Sequence, residues 1–279
     1  MSSFFSFENR WIVDGTLQMR TALSIGSRVS LMPAGSDLPV MKTPEGVPLI
    51  PGSSIKGVVR SHLEQLLRAL DSLDRRLHGV RLWACDPLDE QQRCVSAKRK
   101  DELHQAAQEV AREQSVEVDK VFAQKLWEES CTACRLFGSP WMASRVSFQD
   151  ALLQNQEDLP HWTEVRDGVG IDRDLGSAKA GIKYDFETVP AGSQFRIRVV
   201  VENASEEEVG LLLFALESLR RGELPVGGKT TRGVGWGELV ELRVRRFDKA
   251  RLVDLLAGRD PYEEIPAGQA LQRLSAAIG

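Results

Sequence analysis

Alternation of apolar and polar residues predicts the strands of this chain. The clearest case is the segment 194–201, where Phe195, Ile197 and Val199 alternate with two arginines. Successive side chains of a β-strand point to opposite faces, so this pattern predicts a half-buried strand with a cationic outer face. The same pattern predicts strands within 10–25, within 144–150 and from 237 to about 246.

Apolar residues spaced by three and four positions predict helices between these strands. One helix spans about 53–73, with Ser53 and Ser54 at its start, where hydroxyl groups can cap free backbone N–H groups. Another follows Ser205, since a serine before three glutamates is typical of a capped first turn. A long helical segment is also predicted at 101–129.

The order of these elements predicts an α+β fold. It is strand, helix, strand, hairpin, strand, helix, strand, which is typical of a ferredoxin-like or RNA-recognition-like antiparallel sheet with helices on one face. We expect this core in 1–74 and 142–246, interrupted by a helical inserted lid subdomain at 75–141. The polar, glycine-punctuated segment 160–186 predicts a protruding β-hairpin, and 247–279 predicts peripheral helices.

Composition restricts the ligands that the fold can take. The 279 residues carry a formal net charge of −4 at pH 7, which argues against a surface that binds nucleic acid everywhere. A site for a polyanion must therefore be a local groove. No segment approaches the ~20 apolar residues that span a bilayer, and no export signal is recognisable, so we expect a cytoplasmic protein without a membrane partner.

The start of the first helix is a candidate phosphate site. A turn at Pro51 and Gly52 leads into the two serines, and Lys56 and Arg60 follow four residues apart on one face. Free N–H groups at a positive helix end and nearby cations attract anions. An ordinary capped helix with two solvated cations explains the same residues.

A second candidate is the segment 227–237, which holds five glycines around Lys229 and Arg232. A phosphate-binding loop of the G-x-x-x-x-G-K-T type fails because Glu223 stands where glycine is needed and because a strand, not a helix, follows. A Rossmann fingerprint fails for the same lack of a helix. Glycines beside two cations favour a loop that approaches a ligand closely, whereas a plain turn needs fewer of them.

The four cysteines predict a structural zinc site. Cys131 and Cys134 form a C-x-x-C pair, and Cys85 and Cys94 can supply two more thiolates, which leaves no open position for a substrate. Buried free cysteines and a redox pair remain alternatives. His78 or His104 can also replace one of the sulfurs.

Asp37 is the candidate for catalysis. It is the only acid before Glu45 in the long loop at 26–47, close in sequence to the first phosphate site. A carboxylate there can ligate a metal ion or position a sugar hydroxyl during phosphodiester cleavage. A turn-forming aspartate is the alternative, and no Ser/His/Asp or Cys/His arrangement competes with it.

Four segments in consistent order carry a resemblance to a known family. They are 50–60 (IPGSSIKGVVR), 131–138 (CTACRLFG), 170–173 (GIDR) and the glycine loop 227–237. Together they resemble the RAMP superfamily of CRISPR proteins and, more narrowly, the backbone subunit of type III effector complexes. The resemblance covers about 10–245.

The resemblance implies partners and an RNA-binding surface. It implies that the chain binds the phosphates of a guide RNA (crRNA) and pairs it with target RNA, alongside copies of itself or homologous backbone subunits and other CRISPR effector subunits. The hairpin 160–186 would be a thumb that wedges between bases. The RNA-binding residues would be Ser53, Ser54, Lys56, Arg60, Arg166, Arg173, Lys229 and Arg232.

The resemblance also implies a reaction. In that family an aspartate in the loop before the first helix supports metal-dependent cleavage of the target, and the matching residue here is Asp37, with Mg²⁺ or another divalent cation. The loop around Asp37 contains methionine and proline, with fewer glycines and acids than the family pattern. A non-catalytic crRNA-binding subunit therefore stays open as the alternative, while a precursor-processing enzyme is disfavoured because the loop lacks histidine.

Overall fold

A computed structural model of the protein describes residues 5–26 and 36–278, with the side chain of residue 180 excepted. Part of the predicted loop at 26–47 thus lies outside the described residues. The strands are β1 (Asn9–Met19), β2 (Leu49–Ile50), β3 (Arg76–Leu77), β4 (Val80–Arg81), β5 (Val146–Phe148), β6 (Ala151–Leu152), β7 (Glu164–Ile171), β8 (Ala178–Thr188), β9 (Gln194–Glu202), β10 (Gly237–Asp248) and β11 (Glu263–Ile265). The α-helices are α1 (Gly52–Ser72), α2 (Ala97–Gln114), α3 (Val118–Glu129), α4 (Thr132–Phe137), α5 (Glu206–Arg220), α6 (Leu252–Leu256) and α7 (Ala267–Ala277).

The core is a five-stranded antiparallel sheet in the order β11-β10-β1-β9-β5. Val13 of β1 pairs with Val199 on one side and Val244 on the other, and all three side chains are buried. Helices α1 and α5 pack against this apolar face, where Trp11 and Phe195 are fully buried. The predicted α+β fold with helices on one face of an antiparallel sheet is confirmed.

The opposite face of the sheet is polar, as the alternation in β9 predicts. Asp14 on β1 accepts hydrogen bonds from Arg198 on β9 at 2.6 Å and from Arg245 on β10 at 3.1 Å. Burial opposes ionisation of this carboxyl, but the two guanidinium groups outweigh it and lower its pKa. This ion cluster ties the three central strands together.

Two helices differ from the predicted boundaries. The segment predicted as one helix at 101–129 is α2 and α3, because Ser115 adopts a left-handed conformation with φ of 54° and closes α2. Helix α1 begins at Gly52, and Pro51 is its N-cap residue, so Ser53 and Ser54 lie inside the first turn and do not cap it. The capping box of α5 is confirmed, with Ser205 and Glu208 bonded reciprocally.

The segment at 75–141 contacts the core through a buried arginine. Arg145, just before β5, donates to Glu208 at 2.5 Å and to the carbonyl of Asn203 at 2.8 Å. Its guanidinium also lies 4.6 Å from the ring centroid of Trp127 at the end of α3. A buried cation is stable only when it is fully paired, so this residue fixes the inserted helices to the core.

None of the helices in the described part of the chain is long and apolar enough to cross a membrane.

Candidate functional site

The N-terminus of α1 already has a carboxylate beside it. The N–H of Gly52 donates to Oδ1 of Asp150 at 2.7 Å. Glycine is required here because a Cβ at position 52 would lie 2.2 Å from the carbonyl oxygen of Phe148. Ser53 is exposed and Ser54 is half-buried in the same turn. The predicted phosphate site at this helix end therefore includes a protein anion, which weakens its attraction for a second one.

Lys56 and Arg60, the two cations in the first half of α1, contact the segment 134–146. Lys56 donates to Oγ of Ser144 at 2.9 Å, and burial, with a contribution from Arg60, lowers its pKa. Arg60 donates to Oε1 of Glu64 at 2.8 Å, to the carbonyl of Gly138 at 3.1 Å and to Sγ of Cys134 at 3.6 Å. Both side chains therefore have structural contacts, and their role in RNA binding stays a prediction.

The glycine loop packs against its own chain. The N–H of Gly228 donates to the carbonyl of Ser24 at 2.8 Å, and that of Gly235 donates to Ala22 at 2.7 Å. A Cβ at position 235, where φ is 89°, would lie 2.2 Å from the carbonyl oxygen of Val226. Close approach of two backbone segments therefore explains Gly235, whereas a Cβ at position 228 would have an ordinary contact at 3.7 Å, and the predicted approach to a ligand stays a prediction.

The two cations of this loop reach the base of the hairpin formed by β7 and β8. Nη1 of Arg232 lies 2.5 Å from the hydroxyl of Tyr184, and Nζ of Lys229 lies 4.4 Å from the ring centroid of Phe186. A cation over an aromatic face is attracted by the ring quadrupole. The structure thus places Lys229 and Arg232 together beside β8.

Asp37 lies at the same place. Its exposed carboxylate accepts a hydrogen bond at Oδ2 from the backbone N–H of Asp185, at 3.0 Å. Leu38 and Glu187 continue the pairing, since the N–H of Glu187 donates to the carbonyl of Leu38 at 3.0 Å. The segment that carries Asp37 therefore runs along the free edge of β8.

Further carboxylates lie on this hairpin. Asp167 on β7 is the cross-strand partner of Asp185, and Lys183 forms an ion pair with Asp167 at 3.0 Å. Hydrogen bonding with Asp167 raises the pKa of Asp185, whereas Lys183 lowers that of Asp167. Tyr184, Asp185 and Phe186 are not among the site residues predicted from the sequence. Two aromatic side chains at alternating positions within a polar hairpin are an unusual feature that could have indicated them.

The predicted thumb residues lie along the hairpin. Arg166 on β7 forms a long ion pair with Glu164 at 3.6 Å, and Arg173 is exposed in the turn that joins β7 to β8. Val165 and Ile171 are also exposed on β7. The hairpin presents cations and apolar side chains to solvent, and the roles of both arginines stay predictions.

The four cysteines lie together between α4 and the segment 85–94. Their Sγ atoms all lie within 4.8 Å of one another, and Cys85, Cys131 and Cys134 are buried. Hydrogen bonding with Cys131 lowers the pKa of Cys94 to about 7 and raises that of Cys134. This cluster can bind a metal ion.

The two histidines considered as alternative ligands lie elsewhere. His78 faces Glu207 at 3.6 Å, and the ring of His104 packs edge-on against Phe122 at a centroid distance of 5.1 Å. Neither belongs to the group of four ligand atoms in the described part of the chain. Any ion in this cluster would therefore be held by sulfur.

Residues 16–239 match the family model of the RAMP superfamily. The chain belongs to the RAMP superfamily. The matched residues include Asp37, the cysteine cluster and the glycine loop, and they end within β10. The RAMP core thus contains every residue assigned here to a site.

Curated relatives of this RAMP protein carry one common name. It is 27% identical over 264 residues to the CRISPR system Cms endoribonuclease Csm3 of Methanothermobacter thermautotrophicus, covering 86% of this chain and 87% of that relative. It is 27% identical over 239 residues to the protein of the same name from Methanocaldococcus jannaschii, covering 82% and 78%. The one from Mycobacterium tuberculosis is 26% identical over 257 residues, covering 84% and 87%.

Proposed function

We propose that this protein is a crRNA-binding backbone subunit of a type III CRISPR ribonucleoprotein that cleaves complementary target RNA. The observation that carries the proposal is that Arg232, Asp37 and Lys229 contact three consecutive residues of β8. A carboxylate and two cations along one strand suit phosphodiester chemistry, since the cations bind phosphates and the carboxylate acts at a nearby hydroxyl. The endoribonuclease name of the relatives supports the same activity.

The residues at β8 have defined tasks in this reaction. Lys229 and Arg232 bind phosphates of the RNA backbone and fix the strand in the groove. Asp37 positions the 2′-hydroxyl of the target for attack on the adjacent phosphorus, and the protruding hairpin distorts the paired strands so that this hydroxyl comes into line. The bond from the 2′-oxygen to phosphorus forms as the bond to the 5′-oxygen of the next nucleotide breaks, and the 2′-hydroxyl proton ends on that 5′-oxygen. The protein acts within a complex that contains crRNA, target RNA, further copies of the backbone subunit and other effector subunits, in the cytoplasm.

We infer that a divalent cation supports the reaction, as the family resemblance implies. Carboxylate oxygens are the ligands that Mg²⁺ prefers, and Asp37 is the candidate ligand. Asp167 already pairs with Lys183, and in the described part of the chain the cysteine cluster is the only group of three or more possible ligands close enough together to hold an ion, so the RNA would have to supply further ligands. In the described part of the chain no other hydrogen bond reaches the carboxylate of Asp37. Mg²⁺ bound there would stabilise the charge that develops on the phosphate oxygens.

Zinc fits the cysteine cluster. A tetrahedral site with Zn–S bonds of about 2.3 Å has sulfurs about 3.8 Å apart. Sγ of Cys85 lies 3.7 Å from that of Cys134 and 3.6 Å from that of Cys131. Metal analysis of the purified protein should give one zinc per chain. Little zinc in the unmodified chain, or an equal amount in Cys131→Ala, would contradict this assignment.

The test of cleavage uses the assembled complex with crRNA, matching RNA and Mg²⁺. We expect evenly spaced cuts that Asp37→Ala abolishes while RNA binding persists. Asp119→Ala is the matched control, because Asp119 is an exposed aspartate on α3 that forms no hydrogen bond or ion pair through its carboxylate in the described part of the chain. Cleavage that persists in Asp37→Ala would place the chemistry on another residue.

One observation favours a second candidate function. The hydrogen bond from Asp185 gives Asp37 a structural task at the base of the hairpin, which a non-catalytic crRNA-binding subunit would also need. That function predicts RNA binding without cuts by the unmodified complex. It also predicts that Asp37→Ala weakens the attachment of the segment 37–40 to β8.

A further inference from the structure

Three consecutive residues of β8 each contact a different residue of the proposed site. Tyr184 contacts Arg232 through its hydroxyl, the N–H of Asp185 contacts Asp37, and the ring of Phe186 contacts Lys229. The spacing explains this arrangement, because side chains at alternating positions of a strand share a face. Tyr184 and Phe186 thus face the glycine loop together.

The same strand also holds the segment that carries Asp37. Oε2 of Glu187 accepts a hydrogen bond from the N–H of Val40 at 3.0 Å, and Oε1 pairs with Nζ of Lys42 at 2.5 Å. Lys42 and the Val40 N–H outweigh the burial of Glu187, so its pKa is lowered and it stays ionised. The segment that carries Asp37 is therefore attached to β8 at several points.

The ring of Tyr184 lies over the neighbouring strand of the hairpin. Tyr184 is the cross-strand partner of Gly168 on β7, and a Cβ at position 168 would lie 2.3 Å from Cζ of the ring. Glycine therefore leaves room for the ring to lie across β7. In this position the hydroxyl of Tyr184 reaches Nη1 of Arg232.

We propose that Tyr184 is a positioning residue for RNA cleavage. Through its hydroxyl it fixes the guanidinium of Arg232 at a set distance from the carboxylate of Asp37, since both are held on adjacent residues of one strand. The base of the hairpin therefore determines which phosphate lies beside the carboxylate. The inference rests on the proposed function, because it concerns the step in which the target RNA is cut.

Tyr184→Phe tests the proposal, because it keeps the ring on Gly168 and removes only the hydroxyl. We expect the single-turnover cleavage rate of the assembled complex to fall about tenfold, as for loss of a hydrogen bond to a charged group. Affinity for crRNA should change less than about twofold, since one phosphate contact is loosened and not removed. We also expect cuts at neighbouring phosphates beside each main site.

The chain offers a matched control, because it contains only two tyrosines. Tyr262 packs against Phe247 and Arg245 near β11, away from the glycine loop, so Tyr262→Phe should leave the rate and the cut positions unchanged. A double-mutant cycle measures the coupling between Tyr184 and Arg232, which a general loss of stability would not produce. In an Arg232→Ala background, Tyr184→Phe should have little further effect on the rate.

The outcomes separate this inference from the proposed function. If unmodified complexes cut the target but Tyr184→Phe cuts at the same rate and positions, the positioning role is wrong and the proposed function stands. Additive effects in the cycle would also refute it, because they would mean that Tyr184 acts without Arg232. If unmodified complexes bind but never cut, the proposed cleavage function fails, and the positioning role fails with it.

Discussion

Substitution of Arg60 can show whether the start of α1 has a structural role or binds RNA. Its guanidinium donates to Glu64, to the carbonyl of Gly138 and to Sγ of Cys134. Burial opposes its charge, but Glu64 and the neighbouring thiols outweigh that effect and raise its pKa. We predict that Arg60→Ala destabilises the isolated protein, even in the absence of RNA.

The contacts set the size of the effect. The side chain of Arg60 is 20% exposed and that of Glu64 is 10% exposed, so their ion pair is poorly screened by solvent. Hydrogen bonds to charged groups contribute about 1.5–3 kcal/mol each, and Arg60 makes two to oxygen. Glu64 keeps a second, longer pair with Arg68 at 3.7 Å, which limits the loss. We expect a decrease in unfolding free energy of about 3 kcal/mol.

Urea denaturation of the unmodified protein and of Arg60→Ala measures the difference in unfolding free energy. Arg112→Ala is the control, because Arg112 is an exposed arginine on α2. If the cysteine cluster holds zinc as proposed, loss of the Cys134 contact should also speed release of that zinc to a chelator. If Arg60→Ala keeps the stability of the unmodified protein but binds RNA less tightly, the structural role is refuted. Arg60 would then be primarily a phosphate ligand.

Two further predictions concern packing and pH. Gly52→Ala should destabilise the protein by about 1–3 kcal/mol in urea denaturation, because its Cβ would meet the carbonyl oxygen of Phe148 at 2.2 Å; unchanged stability would mean that α1 can shift at no cost. Asp14→Asn should destabilise it at pH 7, where the lowered pKa keeps Asp14 ionised in the folded state. That difference should persist down to about pH 4, the unfolded pKa, and shrink as the pH falls further; a constant difference across pH would refute the role of its charge.

Local patterns in the sequence were sufficient to predict most of the strands and helices of the fold. The alternation in 194–201 gives β9 its buried and cationic faces, and Ser205 with Glu208 begins α5, because each of these features depends on residues close together in the chain. The start of α1 could not be predicted in this way. Its N–H acceptor, Asp150, comes from a segment 98 residues later.

The candidate site was predictable in part, for the same reason. Asp37, Lys229 and Arg232 have the residue types and loop settings that phosphodiester chemistry uses, so they could be named from the sequence. Their convergence depends on β8, and nothing near Asp37 in sequence indicates that Asp185 will donate to it from 148 residues away. The glycines of the loop 227–237 do not by themselves identify a ligand site, since close packing on the protein's own backbone requires glycine as much as close approach to a ligand does.

The two predicted phosphate sites therefore differ in how far their polar groups are already engaged by contacts inside the protein. At α1, Asp150 takes a helix N–H and Lys56 contacts Ser144, so an incoming phosphate competes with contacts inside the protein. At β8, Lys229 lies over the ring of Phe186, Arg232 bonds to a hydroxyl, and neither forms an ion pair in the described part of the chain, although three carboxylates lie nearby along the hairpin. In a chain of net charge −4, cations that keep their full charge in a groove matter most for binding a polyanion. The base of the hairpin is thus the stronger candidate for the contact between this protein and RNA. The cations of α1 contribute mainly to the stability of the core.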